Sequence, residues 1–357
     1  MTSEKDERLE NELYECPNCG ANLKFLPENE ALFCDYCETT ISLKGEASLE
    51  ELDFLANCDN IHSDWDQETK VVHCENCGAR NVISKYEITS NCPFCGSASV
   101  VDTNELVGEK PNRVIPFKIG KNEVIVNYQK WLKKKFFVPK KLKKNIPDPL
   151  LNGVYIPSWT YDTNTISTYQ GRLGKRYTTT VGSGKNRRTV TRIRYFRISG
   201  SYKNSFDDVL VCSGAKLEQN VLDKLAPYDT NNSYVYDERY LAGFSAEHYR
   251  QSLKEGWIIG KKKVDKLIEL GILSKYNYDV IDYLKVNSMY NDIKYKYVIL
   301  PVWICIYKYN NKDYTFMVNG EKGKIVGKTP ISPLKVTFVI ILIISLVILF
   351  MYAYMNG

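Results

Sequence analysis

The hydrophobic pattern is densest at the far end of the chain. "VTFVIILIISLVILFMYAY", residues 336–354, carries no charge and only Thr337 and Ser345 as small hydroxyl positions. Nineteen residues rise about 28 Å as a helix, enough for the hydrocarbon core of a bilayer, so a transmembrane helix is expected over 336–354. Lys322, Lys324, Lys328 and Lys335 precede this run, and only the uncharged Met355, Asn356 and Gly357 follow it. The positive-inside rule then leaves the N-terminal domains in the cytoplasm, as a single-pass, tail-anchored protein of the cell membrane.

Upstream the apolar positions recur with shorter periods. Val124, Tyr128, Trp131, Leu132 and Phe136 predict a helix over 121–137 with lysines on its opposite face. A second helix is expected from Ser245, as N-cap, to about Leu270, with Tyr249, Leu253, Trp257, Val264 and Ile268 as its stripe and Gly271 as its terminator. "RVIPFKI" reads as a strand, and alternating Tyr, Thr, Ile and Val predict strands over 153–212, with "GSGKNRR" as a hairpin loop. A closing β segment, "YKYVILPVWICIYKYNNKDYTFMVNGEKGKIVG", turns at "NNKD" and "NGEKG". Both "YIPSWTYD" and "ILPVWICI" place Trp two residues after Pro, an echo that suggests duplicated sheet halves.

The cysteines add the first chemistry. Cys16, Cys19, Cys34 and Cys37 recur as Cys74, Cys77, Cys92 and Cys95, every offset being 58 residues, in the pattern C-x2-C-x14-C-x2-C. Each C-x2-C puts two thiolates on one tight knuckle, and a short hairpin brings the second knuckle alongside, the tetrahedral sulfur set that zinc prefers. Gly20, Gly78 and Gly96 follow three of the four pairs, where φ > 0 lets backbone N–H groups turn toward the sulfurs. Two structural Zn2+ ions are therefore expected, each closed by four protein ligands, in modules too small to fold without metal. Such thiolates need a reducing compartment, and "MTSEKDERLENELY" has no apolar core of a secretory signal.

Charge divides the chain in two. Residues 1–110 hold 23 Asp/Glu against 8 Lys/Arg, while 111–357 hold 19 against 40. Thiolate-bound zinc makes the first part more negative still, which argues against phosphate binding there and for protein partners. The second part concentrates its bases. "KKKFFVPKKLKK" (133–144) has seven lysines interleaved with Phe136, Phe137, Val138 and Leu142. A second cluster runs from Arg172 to Arg197, and a third comprises Lys261, Lys262, Lys263 and Lys266. On a tethered protein the nearest polyanion is the anionic membrane surface, ahead of nucleic acid.

No catalytic constellation emerges, and the chain reads as non-enzymatic. His62 near Asp64 and Asp66 reads as part of a solvated acidic connector, His73 flanks a zinc ligand, and His248 falls in the first turn of the expected helix. Cys212 and Cys305 sit in apolar strand-like runs and are expected to be buried. "GSGKNRR" lacks the phosphate-loop pattern, with Thr179 where Gly is required and Asn186 where Ser or Thr is required.

From Cys74 to the tail, the chain resembles a bacterial family of membrane-anchored zinc-ribbon proteins. These are labelled as transcription-factor-IIB-type zinc ribbon proteins or as primosomal protein N′ (helicase)-like. The resemblance rests on "CENCG…CPFCG", "VIPFKI", the "WLKKKFFVPKKLK" stretch, "LNGVYIPSWTYD", "FDDVLV", "YLAGFSAEHY", "LPVWICIYKY" and "VNGEKGKIVG". It implies an adaptor or scaffold that recruits SPFH-domain and phage-shock-protein-A-like proteins to the membrane under envelope stress, with Cys74, Cys77, Cys92 and Cys95 as ligands. The extra cysteine set at 16–37 departs from a single-ribbon pattern. The expected fold class is α+β: zinc ribbons at 1–45 and 71–103, an acidic connector at 46–70, a basic α+β domain at 111–330, and the transmembrane helix.

Overall fold

A computed structural model describes residues 15–47, 50–59, 69–84, 92–98, 100–103, 109–184 and 187–356. The first cysteine module is an antiparallel sheet of β1 (Leu23–Leu26), β2 (Ala31–Cys34) and β3 (Thr40–Ser42). A short β4 (Leu52–Asp53) and one helical turn, α1 (Phe54–Asn57), follow. The second module uses β5 (Thr69–Cys74), β6 (Arg80–Ser84) and β7 (Val100–Thr103). Next come β8 (Arg113–Val114), α2 (Lys121–Lys134), α3 (Lys140–Lys144), β9 (Leu150–Val181) and β10 (Arg188–Cys212). The chain continues through α4 (Gln219–Leu225), β11 (Tyr234–Val235), β12 (Ser245–Glu247), α5 (Leu253–Leu273), β13 (Val280–Tyr309), β14 (Lys312–Asn319) and β15 (Ile325–Gly327). It ends in α6 (Pro333–Asn356). The architecture is mixed α+β, and α6 is long and apolar enough to cross a membrane, with none of its residues buried up to Tyr354.

The long strands β9 and β13 pair antiparallel from Leu150–Ile306 at one end to Gly174–Val280 at the other. Ile156 faces Leu300 near the centre of a local two-fold arrangement that organises both halves of the scaffold. On one side β12 runs parallel to β9, with Ser245 opposite Val154; on the other β8 runs parallel to β13, with Arg113 opposite Val298. Beyond those short partners the long strands turn to β10 and β14, which end opposite Ser158 and Val302. Ser213 N–H donates to Pro157 O at 3.0 Å, and Gly320 N–H donates to Pro301 O at 2.8 Å. The indole of Trp159 donates to Gln251 O at 3.0 Å, just before α5, and that of Trp303 to Ile119 O at 2.8 Å, just before α2. The Pro–Trp echo therefore marks equivalent positions in two copies of a strand–helix–long-hairpin unit.

Both copies place their helix on the same sheet face. Val124, Tyr128 and Leu132 of α2 pack with Trp303, Tyr307 and Phe316, while Val264, Ile268 and Ile272 of α5 pack with Trp159, Tyr161 and Leu173. Strand alternation sends Val154, Ile156, Val298 and Leu300 to the opposite face, where α4 covers them with Leu222 and Leu225. Asn310 and Asn311, with φ of 50° and 58°, form the two-residue turn from β13 to β14. Past Gly174 the β9–β10 hairpin runs on beyond the β13 register.

Several expectations are corrected. Ser245 opens no helix: Ser245–Glu247 is β12, bound between β9 and β6, and His248 lies past it. The helix starts instead at the capping box of Ser252 and Glu255 and continues through Gly271, whose missing side chain admits the Tyr202 ring. The first helix stops at Lys134, so Phe136 leaves its apolar stripe and stands exposed, since Lys135 turns to an extended conformation. The connector is not merely solvated: β4 pairs with Lys294 and Tyr295, and Phe54 is buried against Tyr161 and Trp257. The expected strand "RVIPFKI" shrinks to Arg113–Val114.

Helix α5 meets the sheet closely at Gly256, where an added Cβ would lie 2.4 Å from the Tyr161 hydroxyl and 2.6 Å from Trp159 Cδ1. Gly256→Ala is expected to destabilise the protein by about 1–3 kcal/mol through overpacking, despite the better helix propensity of alanine. Denaturant unfolding of the full-length chain in detergent checks this, and an unchanged midpoint would contradict the packing described.

Candidate metal centres

Four knuckles share one backbone geometry. In each, the first cysteine's N–H bonds the carbonyl five residues on: Cys16 to Ala21, Cys34 to Thr39, Cys74 to Ala79 and Cys92 to Ser97, at 2.7–3.0 Å. Each first cysteine's carbonyl accepts from the residue after the second cysteine, which adopts positive φ. Gly20, Gly78 and Gly96 fill that position at 71–72°, and Glu38 fills the fourth at 59°. The glycine rule read from sequence thus has one exception, on the backbone of a charged residue.

The knuckles bring all eight predicted ligands together in two sets of four, each set lying within 4.8 Å. Sulfur separations are 3.4 Å for Cys16–Cys37, 3.5 Å for Cys19–Cys34, 3.7 Å for Cys74–Cys95 and 3.6 Å for Cys77–Cys92. A tetrahedron of sulfurs around zinc at about 2.3 Å has edges of roughly 3.8 Å, so the donors suit an ion of that size. They are too far apart for disulfides, which need about 2.05 Å. The Thr39 hydroxyl, 3.1 Å from Cys37 Sγ, helps hold that thiol down to about 6, favouring the thiolate a metal needs. Cys95 is pulled down to about 7: burial raises it, but the Ser97 N–H and the Asn76 amide outweigh burial. The two sets could hold two metal ions, in closed sites whose four corners are all protein sulfur.

Both modules dock on the scaffold. Phe25 of β1 packs edge-on against Tyr240 and Phe244, and its N–H donates to Ala242 O at 2.9 Å. The second module joins the main sheet directly, through Val82 and Asn81 of β6 opposite Ala246 and Glu247 of β12. The Lys216 ammonium reaches Cys77 O, bringing a positive charge beside the second sulfur set. Between the modules lies a cleft of about 440 Å3, bounded by Phe25, Glu28, Pro93, Lys121, Phe244 and neighbouring backbone.

Sequence reading missed a partly buried charge cluster. Glu51, Asp162 and Asp207 bring carboxylate oxygens within 4.8 Å of one another, next to bulges in β10 at Phe206–Val209 and in β13 at Asn291–Lys294. Lys296, almost fully buried, lies 2.7 Å from Asp208 and 3.5 Å from Glu51, so an ammonium already supplies the local cation. Burial, and then a hydrogen bond with Glu51, push Asp162 up to about 8, while the Glu51 carboxyl is held below its ordinary range. Of the two carboxyls, Asp162 is therefore the one whose neutral form the fold favours. Nothing local in the sequence points to it, because the bulge that gathers the acids is a tertiary feature.

The remaining candidates scatter. Cys212 and Cys305 are buried, with burial raising both thiols, to about 12 for Cys212. His62, Asp64 and Asp66 lie outside the described residues, as do Lys185 and Asn186 of the hairpin loop. His248 sits in the loop before α5, its Nδ1 2.7 Å from Tyr249 O.

No family model matches the chain, and no solved structure matches it. A Bacillus subtilis (strain 168) protein described as uncharacterized protein YdjG is 28% identical over 329 residues, covering 90% of this chain and 91% of its own.

Cys16→Ser and Cys74→Ser are each expected to lower the bound metal from two ions per chain to one, and the double variant to none, by mass-spectrometric metal analysis. Asp162 is raised in the fold above its ordinary 3.8, so its contribution is complete below about pH 4 and is lost as pH rises toward 8. Asp162→Asn is therefore expected to gain thermal stability over the wild type progressively between those pH values. A stability difference between the two proteins that stays constant across that window would contradict the upward shift of Asp162.

Proposed function

We propose that this chain is a tail-anchored zinc-ribbon scaffold at the cytoplasmic face of the cell membrane, recruiting protein partners rather than catalysing a reaction. The observation that carries this reading is the docking of two closed four-cysteine modules onto one sheet scaffold whose last element is an unburied apolar helix. Filled sulfur corners suit zinc in a structural role. The acidic charge balance of residues 1–110 suits a basic protein partner better than phosphate. The lysines before α6 favour a cytoplasmic scaffold. The resemblance to membrane-anchored zinc-ribbon proteins makes SPFH-domain and phage-shock-protein-A-like proteins the partners to seek, in an envelope stress response.

A second reading, a membrane-associated nucleic-acid binder, draws on one observation. The β9–β10 hairpin carries nine Lys/Arg and no Asp/Glu between Arg172 and Arg197, and its tip extends as a two-stranded ribbon past the β13 register. Crosslinking from membranes, with full-length protein and with a variant lacking residues 1–47, separates the readings. A protein partner captured by the full chain and lost with the first module is the expected result. Nuclease-sensitive nucleic acid, retained by both proteins and accompanied by no protein partner, would favour the basic hairpin instead.

A further inference from the structure

The lysine–phenylalanine segment at 133–144 is folded against the start of α6. Ser332 N–H donates to Phe137 O at 2.8 Å, and the Lys335 ammonium donates to Phe136 O and Val138 O at 2.7 and 2.8 Å. Lys335 also lies over the Phe136 ring, 5.5 Å from its centroid. Three hydrogen bonds thus fix residues 136–138 beside the last charged residue before the apolar run. If α6 spans a bilayer, this segment stands at the depth where headgroups give way to acyl chains, whatever the tilt of the helix.

Its surface suits that depth. Phe136 and Phe137 are 58% and 42% exposed, and Ile331 and Leu334, flanking the same anchor, are 65% and 83% exposed. Val138 and Leu142 are buried and hold the segment to the scaffold, so the exposed rings are displayed on a fixed base. Around them stand Lys133, Lys134, Lys135, Lys140, Lys141, Lys143 and Lys144, none in a described ion pair and with no acid inside the segment. Lys140 and Lys143 lie close enough to Lys335 to depress its ammonium after burial has done so. Uncompensated like charges this crowded call for an external anion.

We infer that residues 133–144, with Ile331 and Leu334, form a binding site for the headgroups of anionic phospholipids, in which Phe136 and Phe137 enter the bilayer interface and the lysines hold lipid phosphates. The site rests on the reading of α6 as a membrane span. It adds to the membrane-spanning helix a second, interfacial contact, and together the two fix the scaffold's orientation over the membrane.

The test is photo-crosslinking of the full-length chain in nanodiscs of phosphatidylcholine with about 30% phosphatidylglycerol, a composition rich enough for the lysines to respond to. Benzoylphenylalanine replaces Phe137 in one sample and Ile344 in another. Phe137-site adducts enriched several-fold in phosphatidylglycerol over its share of the disc are expected, falling several-fold when Lys140, Lys141, Lys143 and Lys144 are changed to Gln. Lipid adducts at the Ile344 site without any at the Phe137 site would overturn the inference while leaving the span intact. So would adducts at the Phe137 site with no headgroup preference, or with a protein in place of lipid. The absence of lipid adducts at the Ile344 site would instead bring down the span reading and the inference with it.

Discussion

The register of β9 against β13 constrains nearly everything else. Two strands of this length, paired about a local two-fold, present their Pro–Trp steps at equivalent places, and each tryptophan hydrogen-bonds the carbonyl that precedes a helix. Burying an indole without a partner for its N–H is costly. The indole therefore ties the entry of each helix to the centre of the sheet. A slip of one residue between the strands would put the two tryptophans on opposite faces, so that only one helix could keep its indole bond and its packing on the sheet. The short strands β8 and β12, the antiparallel partners β10 and β14 and the backbone bonds at Ser213 and Gly320 all follow from the same register.

The two copies have diverged in what they do with a common plan. One has lengthened its hairpin into the basic arm of β9 and β10; the other turns back early, at Asn310 and Asn311, and leads through β15 to α6. Their short strands differ as well. β8 pairs with β11, whereas β12 receives β6 and so joins the second cysteine module to the main sheet. The first module stays a separate sheet and docks through Phe25. Acidic and basic parts of the chain are thus packed against each other.

Local chemistry was legible in the sequence, and tertiary competition was not. The C-x2-C spacing assigned all eight sulfur positions, because a knuckle is determined by a few consecutive residues. The strands, the "NNKD" turn and the buried positions of α2 could be read for the same reason. Ser245 misled because a serine before an apolar periodicity is equally at home in a short strand, and the choice was made by β9 and β6 on either side. The better signal, Ser252 with Glu255 three residues on, was present nearby. The cluster of Glu51, Asp162 and Asp207 had no sequence signature, since its members come from three distant segments and meet only where two strands bulge.

The position of β12 has a consequence for the sheet edge. It is three residues long, flanked by β9 on one side and by β6 on the other. The neighbouring β5 and β6 belong to a hairpin whose shape depends on its sulfur knuckles. Were an ion held there and then lost, β6 would no longer be fixed beside β12, and the amides and carbonyls of Ala246 and Glu247 would be open to another extended chain. A metal at that site would in this way also serve as a guard against unwanted strand addition.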